Sequence, residues 1–154
     1  MATTPETRAP VHLWIVGILS LLWNCFGCYD YFMTRTRGAD YIATTMPGVD
    51  GNAVMAWLDA MPLYAQIGWG LGVWLGLLGS ILLLVRSRWA VWSFVISLVG
   101  AILSIGYQVA LAPPMPGSAE TESGMMKLLP YVILLIAAFL AWYARTMEKR
   151  GVLR

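Results

Sequence analysis

Residues 62–112 read PLYAQIGWGLGVWLGLLGSILLLVRSRWAVWSFVISLVGAILSIGYQVALA, and this stretch decides the fold. It contains two uncharged runs of 24 residues, 62–85 and 89–112, separated by only three residues. A helix of about 20 apolar residues crosses the hydrocarbon core of a bilayer, so each run is long enough to span it. Because the connection RSR at 86–88 is so short, the stretch predicts a tight hairpin of two membrane-spanning helices.

Two further runs, 11–32 and 125–144, have 22 and 20 residues and also meet the length of a span. Apolar residues make up 59% of the 154-residue chain and charged residues 12%, about half the share of a soluble domain. None of the runs shows the alternation of a membrane β-barrel strand. We therefore expect one all-α domain over residues 1–154, an integral membrane antiparallel four-helix bundle.

The distribution of Lys and Arg predicts the orientation of the bundle, since cytoplasmic loops carry the excess of these residues. With four spans, the N-terminal segment, the RSR turn and the C-terminal segment share one side. That side has seven Lys and Arg against three on the other, which predicts both termini in the cytoplasm. A net charge of +2 without a basic face argues against nucleic-acid binding. The seven are Arg8, Arg86, Arg88, Arg145, Lys149, Arg150 and Arg154, and the three are Arg35, Arg37 and Lys127.

The outer segment 33–61 is the longest connection between spans. Within it Val54, Trp57, Leu58 and Met61 recur at the spacing of one helix face. This pattern predicts a short amphipathic helix lying on the outer membrane surface. The later outer stretch, 112–124, is rich in Pro, Ser and Glu and is expected to be an exposed loop.

Small residues recur at intervals of three or four along the second and third spans. In a membrane, helices associate by close packing through such residues, because lipid tails are as apolar as leucine. The simpler interpretation is packing within the chain, and the alternative is a self-association face or a flexible, gated helix. The predicted packing residues are Gly68, Gly72, Gly76 and Ser80 in the second span, and Ser93, Ser97, Gly100 and Ser104 in the third.

Polar residues gather near the outer end of the first span, and we take them as the candidate functional cluster. Asp30 is expected near the outer interface, where Arg35 or Arg37 could neutralise it. Asn24 lies deeper and is expected to form an interhelical hydrogen bond, for example to a serine of the third span. The cluster consists of Asn24, Tyr29, Asp30, Tyr31, Arg35 and Arg37.

Cys25 and Cys28 form a C-x-x-C motif, whose thiols can cycle to a disulfide in an oxidising compartment. Quinone-linked thiol oxidases carry such a pair, but the chain has only two cysteines and no second pair to pass electrons onward. Packing is the simpler role. Because no hydrolase triad, phosphate-binding loop or metal-ligand set is present, we expect no enzyme activity, no cofactor and no metal.

One set of residues in the first three spans forms a recognisable pattern: Leu21-Leu22-Trp23-Asn24, residues 29–37 (YDYFMTRTR), Trp74, Gly76, Gly79-Ser80 and residues 83–91 (LLVRSRWAV). This pattern resembles that of a family of small proteobacterial four-helix inner-membrane proteins that often receive the automatic name "sugar transporter". The resemblance implies a bacterial inner-membrane location and supplies no catalytic residues. This chain has cysteines at 25 and 28, where the family commonly has small residues such as alanine.

Two functions remain open besides the less favoured thiol oxidoreductase. The first is a non-enzymatic protein of the lipid bilayer that acts by associating with itself or with another membrane protein. The alternative is a small-solute, sugar-type transporter or permeation protein. The two functions predict different bundle interiors. Permeation needs a polar path inward from Asp30 and Asn24, whereas association is compatible with a sealed apolar core.

Overall fold

The structure, a computed structural model, describes residues 9–117 and 124–154, and of 124–127 the backbone alone. Within these residues it has six helices and no strand. Four of the helices are long and apolar enough to cross a membrane, which confirms the all-helical, membrane-type prediction. The helices are α1 Val11–Arg37, α2 Ala39–Thr45, α3 Gly51–Asp59, α4 Leu63–Leu84, α5 Trp89–Ala110 and α6 Gly124–Lys149.

Two of the four long helices continue beyond their predicted ends. The span predicted to end at residue 32 runs to Arg37, and the one predicted to end at 144 runs to Lys149. The apolar runs end at residues 32 and 144, but the helices continue past them into charged residues. Cations in the last turn of a helix are compatible with this, because they interact favourably with the helix dipole. Helix α2 was not predicted at all. Arg8 and the side chain of Lys127, used in the charge count, lie outside the described residues.

Helix α4 contacts both α1 and α5, and α6 packs against α5. The order in space is therefore α1, α4, α5, α6. The early part of α4 meets the late part of α5, as Gly68 and Gly100 show, and the late part of α4 meets the early part of α5, as Gly79 and Phe94 show.

The closest approach of the two central helices is at Gly68 and Gly100. A Cβ added to Gly68 would lie 2.7 Å from the carbonyl oxygen of Gly100, and one added to Gly100 would lie 2.6 Å from that of Gly68. Only glycine fits on either side, because real Cβ atoms do not approach oxygen so closely. Backbone contact at this distance is the kind of packing that holds helices together in lipid.

The turn between α4 and α5 ends α4 in a Schellman motif. The amide of Ser87 donates to the carbonyl of Leu82, and Arg86 takes a left-handed φ of 61°. A non-glycine residue is strained in this conformation. Two backbone hydrogen bonds to the C-terminal residue offset this strain. The amide of Arg154 donates to the carbonyl of Arg86 over 2.7 Å, and the amide of Arg88 donates to the carbonyl of Arg154 over 2.8 Å. We call this region, with the start of α1 and the end of α6, the tail end.

At the opposite end, α2, α3 and residues 111–117 form what we call the cap. The apolar face of α3 is buried: Val54 and Leu58 pack with α2 and with the ends of the long helices. The helix predicted at this place therefore exists, but its apolar face packs within the protein instead of facing lipid. The indole of Trp57 donates to the carbonyl of Pro113 over 2.8 Å, which holds the stretch after α5 on the cap.

We expect Gly100→Ala to lower the stability of the folded protein by about 1–3 kcal/mol, because the new methyl group overlaps the backbone of α4. Gly106→Ala is the matched control on the same helix, since a Cβ at Gly106 meets nothing within 4 Å. The control should be as stable as the parent or slightly more so. Reversible unfolding in mixed micelles measures both, and equal stabilities of the two variants would contradict the packing.

Candidate functional site

A cavity of about 410 Å³ lies in the half of the bundle nearer the cap, bordered by all four long helices. This volume is within the range of ligand-binding pockets. Its wall on the α6 side is apolar and includes Pro130 and Ile133, whereas α1 and α5 contribute polar side chains. We call it the central cavity. Its polar lining residues are Asn24, Asp30, Ser97, Ser104 and Gln108.

The central cavity adjoins a gap between α1 and α6. A second cavity, of about 300 Å³, is lined only by residues of these two helices and shares Trp23, Ile136 and Leu140 with the first. The helices meet near the tail end, where Nδ1 of His12 lies 2.5 Å from the hydroxyl of Tyr143. From there toward the cap they are separated by the cavities, so the arrangement α1–α4–α5–α6 is open on one side, which we call the open side.

Two apolar clusters close the central cavity at its ends. Toward the tail end, Phe94 belongs both to the cavity wall and to a buried cluster with Leu13, Leu83 and Met147. Toward the cap, Leu58 is a cavity wall residue within the buried cluster formed by α2 and α3. The interior is therefore well packed at both ends and hollow between them.

Among the described residues that line the central cavity, Asp30 is the one with a charged side chain. Its Oδ1 accepts a hydrogen bond of 2.9 Å from the hydroxyl of Tyr41 in α2. Tyr29, predicted to belong with it, is exposed and contacts the edge of the Tyr41 ring. Burial, the hydrogen bond and the negative charge of Asp30 raise the pKa of Tyr41 to about 12, so this hydroxyl stays a donor.

Arg35 does not pair with Asp30, contrary to expectation. Its Nη1 lies 3.5 Å from Oδ1 of Asp59, and its Nη2 donates to Gln66 over 3.3 Å. The guanidinium also lies over the rings of Tyr31 and Trp69, at 5.9 and 5.3 Å from their centroids. Arg35 thus ties the end of α1 to the junction of α3 and α4, because Asp59 is the last residue of α3 and Gln66 lies in the first turn of α4.

Asn24 lies between α1 and α4, not against α5. Its amide nitrogen donates to the carbonyl of Ser20 and to the hydroxyl of Ser80, over 2.8 and 3.2 Å. The hydroxyl of Ser80 in turn donates to Gly76 over 2.9 Å. The serine predicted to bond Asn24 was assigned to the third span, whereas the partner is in the second, because α1 packs on α4.

The predicted cluster therefore separates in two: Asn24 and Asp30 both line the central cavity, whereas Arg35 and Tyr31 lie against the junction of α3 and α4. At the cavity, Asn24 is hydrogen-bonded to Ser80 of α4, and Asp30 to Tyr41 of α2. Arg37 is exposed at the end of α1. The six residues do not converge on one point, because they occupy different faces of a helix with 3.6 residues per turn.

The small residues of α4 are shared between two neighbours. Gly68 and Gly72 face α5, where the hydroxyl of Ser97 donates to the carbonyl of Gly72 over 2.5 Å. Gly76 and Ser80 face α1 through Asn24. On α5, Ser93 is buried toward the tail end, and Ser104 accepts from Gln108 over 3.2 Å at the cavity wall.

Both cysteines are free thiols. Cys25 is exposed, and Cys28 is buried with its sulfur 3.6 Å from the carbonyl oxygen of Val73. The two side chains have different surroundings, one on the outer surface of α1 and one against α4. In the described part of the chain, no three His, Cys, Asp or Glu side chains lie close enough together to hold a metal ion.

Several cavity residues were not recognised in the sequence. Gln108 was not among the predicted site residues, and Tyr41, the hydrogen-bond partner of the wall residue Asp30, lies in a helix that was not predicted. Trp23 and Trp69, both in the wall, look in sequence like any tryptophan of a membrane helix. These residues have in common that they surround the same cavity. The spacing of residues along one helix does not reveal which residues of different helices face a common space.

Comparison of the chain with protein-family models, with curated proteins and with solved structures found no match in any of the three. The assignment of a function therefore rests on the geometry described above.

We expect the hydroxyl of Tyr41 to stay protonated between about pH 10, its ordinary pKa, and about pH 12. The folded state favours the neutral phenol, so the stability that this group contributes is complete below pH 10 and is lost as pH rises through about 12. Tyrosinate absorbance of the parent and of Tyr41→Phe should therefore agree up to pH 10 and separate near pH 12. A separation that is already complete at pH 10 would contradict the burial of this hydroxyl.

Proposed function

We propose that this chain is a non-enzymatic protein of the bacterial inner membrane that binds a small solute in the central cavity, as a transporter or permeation protein does. In this proposal the four long helices form an antiparallel bundle with both termini in the cytoplasm, as the distribution of Lys and Arg predicts. The observation that carries the proposal is the central cavity itself, about 410 Å³ in volume, with a mostly apolar wall that contains a few polar side chains.

The polar groups of the cavity lie at different depths along the helices. Asn24 and Asp30 are six residues apart on α1, about 9 Å at 1.5 Å per residue. Ser97 and Gln108 are 11 residues apart on α5, about 16 Å. An ionisable side chain such as Asp30 within a membrane helix is costly and most often serves a site or a path, and neutral polar side chains beside it add hydrogen-bonding groups. These groups support a polar path inward from Asp30, which distinguishes permeation from a sealed bundle.

The path stops at Phe94, because the tail end is closed by the buried cluster around it. Phe94 is 2% exposed. A solute that reaches the cavity can therefore bind, and passage to the tail end requires that α5 and α6 move apart near Phe94. Binding from the cap half, followed by such a movement, is the sequence of steps that we propose.

We expect a cysteine at Ser97 to react with a small water-soluble alkylating reagent, and one at Ser93 not to react. Both serines are 6% exposed and lie one turn apart on α5, but only Ser97 lines the central cavity. The variants are made after Cys25→Ala and Cys28→Ala, and the extent of alkylation is measured by mass spectrometry of the protein in bilayers.

Equal protection of the two positions would show that water and small solutes do not reach the cavity, which would contradict the proposed function. Reaction at both positions would contradict the closed tail end. Far-ultraviolet circular dichroism of each variant shows that a reactive cysteine belongs to folded protein.

A second candidate function is association in the membrane plane through the open side, and the exposed apolar residues there favour it. Leu19 and Phe139 flank the gap and are 62% and 44% exposed. A helix of a second copy could occupy a gap of this kind, as close packing in lipid requires complementary shapes. The glycines of α4 do not favour this function, because α1 and α5 already cover Gly68 and Gly76.

For association through the open side, we expect Leu19→Cys in the cysteine-free protein to form a disulfide-linked dimer on oxidation in bilayers. Trp92→Cys is the control, because Trp92 is 60% exposed on α5 and does not line either cavity. Gel electrophoresis without reductant measures the dimer. Equal yields at the two positions would indicate random collision and would remove this candidate.

A further inference from the structure

We propose that the ligand of the central cavity is an organic cation with an apolar, preferably aromatic, body, and that Asp30 binds its charged group. This inference rests on the proposed function, since it names the class of solute for the same cavity. It follows from the charge of the wall, from the hydrogen bonds already made there and from the aromatic rings around it.

The carboxylate of Asp30 keeps acceptor capacity toward the cavity. An ionised carboxylate has two oxygens with about four acceptor positions, and the hydroxyl of Tyr41 occupies one of them, at Oδ1. Among the side chains that the structure describes, no lysine or arginine forms an ion pair with Asp30. Arg35, which contacts the wall residue Trp69, is already engaged by Asp59 and Gln66.

Aromatic rings surround the same space. Trp23, Phe26, Trp69 and Phe94 line the central cavity from three helices. The face of an aromatic ring attracts a cation, and the attraction is largest for tryptophan and for desolvated sites. Trp69 already receives one cation, since the Arg35 guanidinium carbon lies 5.3 Å from its ring centroid.

Other ligand classes fit the cavity less well. An anion would be repelled by Asp30, and the repulsion is strong where little water screens it. A bare divalent metal ion needs about six oxygen ligands, whereas the wall offers one carboxylate together with amide and hydroxyl groups. The α6 side, with Leu129, Ile133 and Ile136, requires an apolar surface on the ligand.

The test measures binding of radiolabelled phenyltrimethylammonium to the full chain in neutral detergent micelles, by equilibrium dialysis. We expect saturable binding to the parent protein and affinity lower by about tenfold or more in Asp30→Asn, since a charge pair and its cation–π support are lost together. The amide at position 30 keeps an acceptor for Tyr41, so the cap should stay in place.

Asp40→Asn is the matched control, because it removes the same charge from an exposed position of α2. Its affinity should equal that of the parent. The probe benzenesulfonate, with the same ring and the opposite charge, should not bind the parent protein, and this comparison needs no variant to fold. Equal binding of the two probes, or equal affinities of the parent and Asp30→Asn, would overturn the inference.

The two proposals fail in distinguishable ways. If the cysteine at position 97 reacts and phenyltrimethylammonium does not bind, the cavity is accessible and the cation class is wrong. If neither occurs, the cavity is closed to solutes and the proposed function is wrong as well.

Discussion

The structure depends on the close approach of two backbones at Gly68 and Gly100. Burial of apolar surface does not draw helices together in lipid, so contact must come from shape and from hydrogen bonds. Helix α4 supplies both, because its glycines admit the backbone of α5 on one face and Asn24 of α1 on another. One face of α4 thus binds α5 and another face binds α1, and this fixes the positions of both helices.

The hollow interior is a consequence of the same arrangement. Helix α6 packs mainly against α5, and the small residues of α4 are already covered by α1 and α5. It is fixed mainly toward the tail end, where Leu140, Ala144 and Met147 are buried. Nearer the cap it stands away from α1, and the cavity occupies the space between them. Four helices that pack in the order α1, α4, α5, α6 leave one side open where α1 and α6 do not meet.

Much of the fold could be predicted from the sequence, because the bilayer imposes a length on each apolar run. The hairpin at 86–88 and the helix containing Val54 and Leu58 were predicted from local pattern alone. Helix α2 was not, since seven residues carry too little periodicity. The candidate site was predicted in part: Asp30 and Asn24 line the cavity, but their partners Tyr41 and Ser80 depend on which helix packs beside α1. Which helix packs beside α1 depends on contacts between residues far apart in the chain, so no local sequence pattern predicts it.

Pro130 weakens the backbone hydrogen bonding of α6 in the part of the helix that lines the central cavity. Proline has no amide hydrogen, so the carbonyl one turn earlier in α6 loses its helical partner and the helix bends more easily there. The segment beyond Leu140 is anchored in the tail-end cluster, whereas the segment around Pro130 borders open space. We therefore expect α6 to bend more readily around Pro130 than in the anchored half beyond Leu140, and such bending would change the width of the central cavity.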